Sequence, residues 1–297
     1  MNTVRDTALQ SWLLQRPLLV RWGVRLDTAP AWGWLALLSA ALWPTWLWMG
    51  RRVMDRSDDP FGLLALAALA TLVWQHHRRL RAAPRLGWLI TALGGVILAT
   101  SLQGVLPPLV VALIALLAMA AGLSAFFPAS VATLPVVGLS VLSLPLLASL
   151  QFYVGFPLRV VTAEASRWLL ALGHDVTRSG ASLVVDGALI IVDAPCSGVQ
   201  MAWLGYFTAC TVALYCARGG RAFLMRLPLV GVLVMSGNIV RNTVLVTAEA
   251  SGHRLPSWAH EGVGLVALAV VCGLIACLMA RPESRTAGPA PGKAHHA

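Results

Sequence analysis

Three residues far apart in the chain have side chains that could together cleave a peptide bond. Cys196 follows a β-rich run that ends at Pro195 and precedes a long apolar helix, and the N–H groups of a helix start favour a nucleophilic thiolate. Arg241 lies inside the apolar stretch GNIVRNTVLV, where a guanidinium can lower a thiol pKa or stabilise an oxyanion. His260, in SWAHEGVGL, titrates in the range suited to protonating a leaving amine.

Each of these residues also has a structural interpretation. Cysteines in apolar segments mostly act as small hydrophobes, an arginine can snorkel to the headgroups, and a loop histidine can simply be solvated. A Cys–His metal site is a further alternative, but zinc sites take three or four protein ligands and few other candidates are in reach. We favour catalysis because the three residues come from consecutive predicted spans and fall at one depth on one side. The sequence therefore predicts no metal and no cofactor.

Composition determines the class of protein that carries these residues. The chain has 297 residues, of which 58% are hydrophobic and only 11% charged, whereas soluble domains carry about 25% charged residues. A net charge of +10 in so apolar a chain indicates cytoplasmic loops beside anionic lipid, and not a nucleic-acid partner. The sequence predicts an all-α polytopic membrane protein of about eight transmembrane helices.

Hydropathy divides the chain into four segments. Residues 1–30 form a cytoplasmic N-terminal segment, either a surface helix or a disordered basic leader, and 31–154 hold spans one to five. Residues 155–280 form the catalytic core, and 281–297 form a disordered cytoplasmic tail. The predicted spans are 31–50, 60–75, 86–106, 108–126, 134–153, 198–217, 227–246 and 263–280.

The segment before span six, residues 155–195, has a different character. An amphipathic helix with Val160, Val161, Ala165, Trp168, Leu169 and Leu172 at helical spacing is expected to lie along the membrane surface. Two short β runs follow, joined by Asp186-Gly187, which is a strong hairpin signal. We expect a small extracytoplasmic platform of amphipathic helix and β-hairpin that reads an extended substrate motif.

The distribution of arginine predicts which side the site faces. With eight spans and both termini cytoplasmic, inner segments hold fourteen basic residues and outer segments seven, which leaves Arg241 inside span seven. Arg241 lies fifteen residues beyond Arg226, or roughly 22 Å along a helix. This places it in the outer third of a hydrocarbon layer about 30 Å thick. Cys196 and His260 then face the outside of the cytoplasmic (inner) membrane.

These residues carry a family resemblance. The stretches FPLRVVTAEASRWLLALGH, APCSGVQ, GNIVRN and AHEGVG, between about residues 156 and 264, resemble the exosortase/archaeosortase family of membrane transpeptidases. The resemblance implies that Cys196, Arg241 and His260 are catalytic. Asn238 occupies the asparagine of the Asn-x-x-Arg motif, and Ser197 and Gly198 complete the Cys-Ser-Gly motif. These three are the supporting residues of the expected site.

The resemblance also implies a reaction. Cysteine attack would cleave C-terminal sorting signals of the PEP-CTERM kind, which are a short motif, a transmembrane helix and a basic tail. The expected partners are membrane-anchored proteins with such signals, the lipid bilayer, and a glycan or lipid acceptor. Two alternatives remain: a transporter that binds an anion at Arg241, although we find no internal repeat, and a non-catalytic partner in export or polysaccharide assembly.

Overall fold

The computed structural model describes residues 30–192, 197–251 and 256–282. The predicted N-terminal segment before residue 30, the expected nucleophile Cys196 and the predicted tail after residue 282 lie outside the described residues. The helices are α1 (Ala31–Ala41), α2 (Trp43–Met54), α3 (Phe61–His76), α4 (Leu86–Ser101), α5 (Pro108–Phe126), α6 (Thr133–Leu142), α7 (Leu147–Tyr153), α8 (Gly155–Leu170), α9 (Val199–Tyr215), α10 (Gly220–Ala250) and α11 (Ser257–Ala280). The strands are β1 (Val176–Ser179), β2 (Ser182–Val185) and β3 (Ala188–Ile191).

Long apolar helices identify the protein as a helical membrane protein. Among the described helices, α5, α10 and α11 are long and apolar enough to cross a bilayer, and the bent pair α6–α7 would make a fourth crossing. Helices α1 and α4 are apolar but shorter. The number of eight crossings therefore stays a prediction.

The chain divides into two compact units, and the first consists of Met1–Leu47 and Val73–Pro128. In it α4 and α5 pack closely, since a Cβ on Gly95 would lie 2.7 Å from the Cβ of Ala118. The loop before α4 closes the end of α5, because the N–H groups of Arg81 and Arg85 donate to the carbonyls of Phe126 and Ala125. These bonds satisfy carbonyls that a helix end leaves without intrahelical partners.

The second unit consists of Trp48–Leu72 and Ala129–Ala297, and the stretch predicted as span 134–153 forms two helices there, not one straight helix. Helices α6 and α7 meet at an angle of 81°. Pro145 lies at the break, where its ring and missing N–H prevent the helix from continuing. The indole of Trp203 donates to the carbonyl of Leu142 at 3.2 Å, so the interrupted end of α6 is satisfied by α9.

Helix α10 also differs from the predicted span. A helix that began with the predicted span 227–246 would have Pro228 in its first turn, where proline is favoured, but α10 begins at Gly220 and has Pro228 inside it. A proline at this position removes one backbone hydrogen bond from the helix. The prediction was wrong because the arginine-containing turn before Pro228 is helical as well, and α10 reaches 31 residues.

Three strands, and not two, follow α8. They form an antiparallel sheet in the order β1-β2-β3. Asp186 and Gly187 both have positive φ between β2 and β3, as a two-residue type I′ turn requires. His174 Nδ1 donates to Asp186 Oδ2 at 2.6 Å, and this bond lowers the pKa of the Asp186 carboxyl. The bond therefore stabilises the turn at pH values above the ordinary pKa of a carboxyl group. This stabilisation is lost as the pH falls through the lowered pKa of Asp186.

The sheet rests on the end of α10. Its inward side chains, including Leu183 and Val185, form one buried cluster with residues of α8 and with Leu245 and Val246 of α10. Helix α8 packs along α10 through its small polar face, while its predicted apolar face, for example Val161 and Trp168, stays exposed. The amphipathic helix is thus present, and a helix–helix contact uses its polar side.

Close packing of α10 on α11 makes a prediction about stability. A Cβ on Gly237 would overlap the stiff side chain of Val271, whereas a Cβ on Gly273 would meet nothing within 4 Å. We expect Gly237→Ala to destabilise the protein by about 1–3 kcal/mol through overpacking. Gly273→Ala is the matched control, and it should leave the stability unchanged or raise it by up to about 1 kcal/mol. Thermal unfolding in detergent measures both, and equal melting temperatures would contradict the packing described.

Candidate active site

The start of α9 holds the residues that follow Cys196 in the sequence. Gly198 has φ +84°, and a Cβ there would lie 2.9 Å from the side-chain amide of Asn238. Glycine is therefore required by backbone conformation and by space. Ser197 is buried, its hydroxyl donates to Gln151 Oε1 at 2.9 Å, and its oxygen accepts the N–H of Val199 at 3.3 Å. Both supporting residues of the motif are thus held in place by other parts of the fold.

Two buried polar pairs align α10 with α8. Asn238 Nδ2 donates to Thr162 Oγ1 at 3.1 Å, and one turn later Asn242 Nδ2 donates to Ser166 Oγ at 2.9 Å. All four side chains are almost completely buried. Because both pairs advance by four residues in the same direction, α8 and α10 run side by side in the same sense here. The sequence singled out Asn238 but gave no indication of its partner on α8.

Arg241 lies one turn beyond Asn238 and packs on α11. A Cβ on Gly264 would lie 3.2 Å from Arg241 Nε and 3.3 Å from its Nη2. The absence of a side chain at Gly264 therefore leaves the space that the planar guanidinium occupies. Helix α11 therefore contacts Arg241 at Gly264, just as the start of α9 contacts Asn238 at Gly198.

A cleft of about 290 Å³ opens between these three helices. Its volume is at the small end of the range for ligand sites. Polar groups of Asn238, Arg241 and Glu261 lie beside apolar Leu265 and Leu268. The remaining lining residues are Gly198, Gln200, Met201, Leu204 and Gly264. The cleft therefore combines a cation for a developing negative charge with an apolar wall for a hydrophobic substrate segment.

His260 lies beside this cleft but is not among its lining residues in the described part of the chain. It is exposed in the first turn of α11, where its N–H donates to the carbonyl of Pro256. Gly264 follows four residues later, so His260 and the Arg241 contact lie on the same side of α11. His260 therefore lies one helical turn before Gly264, the residue of α11 that contacts the guanidinium of Arg241.

Sequence reasoning missed two of the lining residues. The sequence analysis assigned no role to Glu261 or Gln200, yet both line the cleft. The position of Glu261 directly after His260 was the available signal for the first. Gln200 lies in the first turn of α9, four residues after Cys196. Residues four apart share a helix face only where both belong to the helix, so this spacing alone did not predict that Gln200 lines the cleft.

The other ends of α9, α10 and α11 are joined by arginines. Arg226 donates to the carbonyls of Met279 and Arg281 at 3.1 and 2.9 Å, and Arg218 donates to Met279 at 3.1 Å and to Ala280. The candidate site and this basic cluster therefore lie at opposite ends of the same three helices.

The family model of the transmembrane exosortases matches residues 48–277, most of the chain. No curated protein and no solved structure matches.

Proposed function

The chain belongs to the transmembrane exosortase family, and on this basis we propose that it is a membrane cysteine protease or transpeptidase. Its substrates would be exported proteins with a C-terminal sorting signal, cleaved at the outer face of the cytoplasmic membrane. The observation that carries the proposal is the cleft in which Gly198, two residues after Cys196, packs on Asn238 while Arg241 packs on Gly264.

The proposed reaction assigns one role to each residue. The Cys196 thiolate attacks the scissile carbonyl carbon, a C–S bond forms, and Arg241 stabilises the oxyanion. The C–N bond then breaks, and His260 gives its proton to the leaving amine. A second nucleophile resolves the thioester. Ser197, Gly198 and Asn238 position the nucleophile segment and the arginine.

The proposed orientation follows from charge. Arginines join the end of the helix bundle that is remote from the cleft, and basic residues favour the cytoplasmic side. This supports the proposal that the cleft faces the extracytoplasmic side. Eight spans and cytoplasmic termini complete the proposed topology. Leu265 and Leu268 beside the cleft would contact the anchor helix of the substrate as it enters from the lipid.

Co-expression tests the proposed function. An anchor protein with a C-terminal sorting signal from the same genome, tagged at its C-terminus, is expressed with the wild type or with Cys196→Ala. We expect cleavage by the wild type and none by a stably inserted Cys196→Ala protein. Equal cleavage by both would show that Cys196 is not the nucleophile, and it would favour a transporter or a non-catalytic assembly partner.

His260→Ala separates proton transfer from nucleophile formation. We expect processing to fall by about 10²–10⁴-fold, the contribution of general acid catalysis, while Cys196 stays alkylatable by a membrane-impermeant maleimide. Immunoblotting of the tagged substrate measures the first quantity and a gel shift the second. His253→Ala is the control, because it replaces the same residue type seven positions earlier in the sequence. Processing that survives in His260→Ala would contradict the assignment.

A further inference from the structure

One edge of the small sheet has the properties of a binding surface for an extended peptide. In the described part of the chain, the strand order β1-β2-β3 leaves one side of β3 without a neighbouring strand. Such an edge presents backbone N–H and C=O groups that can pair with another chain. β3 ends at Ile191, and Cys196 follows five residues later in the sequence. The end of β3 is therefore within about 18 Å of the proposed nucleophile, the length of a fully extended five-residue chain.

The register of the sheet identifies the backbone groups on this free edge of β3. Residues directly opposite each other in an antiparallel pair alternate between hydrogen-bonded and non-hydrogen-bonded pairs. The N–H of Val192 donates to the carbonyl of Ala181 at 3.1 Å, so these two residues form a hydrogen-bonded pair. By the alternation, Leu189 and Ile191 belong to non-hydrogen-bonded pairs with β2. Their N–H and C=O groups therefore point away from β2 and form the free edge.

Both residues of the free edge are open to a partner. Leu189 is 67% exposed and Ile191 60%, and no hydrogen bond from elsewhere in the described chain reaches their backbone groups. Strand β1, at the opposite edge, differs because Val176 is buried and Arg178 donates to Glu164 at 2.6 Å. Proteins protect exposed strand edges with charged side chains or by covering them. β1 has both kinds of protection, whereas the free edge of β3 has neither.

The free edge also lies on the side of the sheet that is nearer to the cleft. Helix α8 contacts β1 and β2, and α10 contacts β3. Leu245 of α10 packs beneath the sheet, and it lies four residues beyond Arg241, or about 6 Å along the helix. Since Arg241 lines the cleft, the sheet lies about one helical turn outward from it. An extended chain along the free edge is therefore only a few residues away from the cleft.

We propose that the free edge of β3 binds the substrate as a fourth strand of the sheet; this rests on the proposed function. The added strand is the extended segment that connects the exported part of the substrate with its anchor helix. A peptide backbone matches the edge because Leu189 and Ile191 each present one donor and one acceptor, at the spacing of alternate residues in a strand. A lipid tail offers neither group. The main-chain bonds hold the segment extended while its scissile bond reaches the cleft.

Leu189→Pro tests the free edge on the protein. Proline here removes one N–H from the free edge and no hydrogen bond to β2, and an edge strand tolerates proline where the N–H faces outward. We expect the KM for substrate cleavage in proteoliposomes to rise about three- to tenfold, the effect of one backbone hydrogen bond, with kcat unchanged. Leu189→Ala is the matched control, because it shortens the same side chain but keeps the N–H, and its KM should rise less. An unchanged KM in a Leu189→Pro protein that melts at the wild-type temperature would contradict the proposal.

N-methyl scanning of the substrate tests the same edge with the wild-type protein, so it does not depend on the folding of a variant. The probe is a synthetic peptide with the sorting signal and anchor helix of an exported protein from the same genome, methylated on one backbone nitrogen at a time. Alternate residues of a strand point their N–H groups to the same side. We therefore expect KM to rise about three- to tenfold at every second position before the anchor helix, and little at the positions between them. Sensitivity without this alternation, or no sensitivity, would overturn the fourth strand while Cys196-dependent cleavage persists.

Sedimentation in detergent distinguishes a substrate strand from a second copy of the chain on the same edge. We expect Leu189→Pro to have the same mass as the wild type, because the edge is occupied by substrate and not by another protomer. A wild-type dimer that Leu189→Pro dissociates, together with an unchanged KM, would assign the edge to a second copy and overturn the proposal. Absence of Cys196-dependent cleavage of the unmethylated peptide would overturn the proposed function and this inference together.

Discussion

Arg241→Lys is expected to lose about 10²–10³-fold in processing, the effect of removing one oxyanion-stabilising donor. Lysine keeps the positive charge but lacks the planar guanidinium group. In the structure, the guanidinium of Arg241 packs against Gly264, where a Cβ would lie 3.2 Å from Nε. A lysine ammonium has its three donors on one nitrogen, so it cannot present the two parallel N–H donors of a planar guanidinium. The rate of substrate cleavage in proteoliposomes measures the effect.

The control for this prediction is Arg254→Lys, the same substitution at an arginine that precedes α11 in the sequence. It should process substrate at the wild-type rate. Near-normal activity of Arg241→Lys would show that only charge matters at this position. That result would contradict the role that we assign to the planar geometry of the guanidinium.

Gly264→Val is expected to reduce processing by about 10²-fold although it changes no charged or polar residue. A Cβ at this position would stand 3.2–3.5 Å from three guanidinium atoms of Arg241, and the two further methyl groups of valine must displace them. Misplacement of a catalytic group by about 1 Å can cost 10²-fold in rate. The kcat for cleavage should fall while the protein remains folded and inserted.

Gly262→Val is the matched control, since a Cβ at Gly262 meets nothing within 4 Å. The two glycines lie two residues apart on the same helix, so helix propensity and hydrophobicity change equally. The predicted outcome is a large loss in Gly264→Val alone. Similar losses in both variants would mean that the effect comes from α11 as a whole and not from the position of Arg241.

Local sequence signals predicted the parts of the fold that depend on neighbouring residues. Helix α5 has the predicted limits because prolines at 108 and 128 flank an uninterrupted apolar run. The Asp186-Gly187 pair lies between two strands because both residues adopt positive φ there. These features depend on backbone chemistry within a few residues, so the sequence alone is sufficient to find them.

Long-range packing was not predictable from spacing. The bend at Pro145 was missed because the surrounding residues are apolar enough for a continuous span, and hydropathy does not register a change of direction. The hydroxyls of Thr162 and Ser166 gave no sign that they pair with Asn238 and Asn242, which are 76 residues away in each case. A second cavity of about 300 Å³ was likewise not predictable, since its lining combines Asp58 with Gln200 from another part of the chain.

The central claim is that Cys196 carries the acyl group of the substrate during processing. The most direct measurement is mass spectrometry of the peptide that contains Cys196, after rapid acid quenching of the full-length protein with its anchor substrate in proteoliposomes. We predict a mass increase equal to the acyl fragment, which hydroxylamine removes, and no such adduct in Cys196→Ala. Cleavage that proceeds without any adduct on Cys196 and persists in Cys196→Ala would contradict the account.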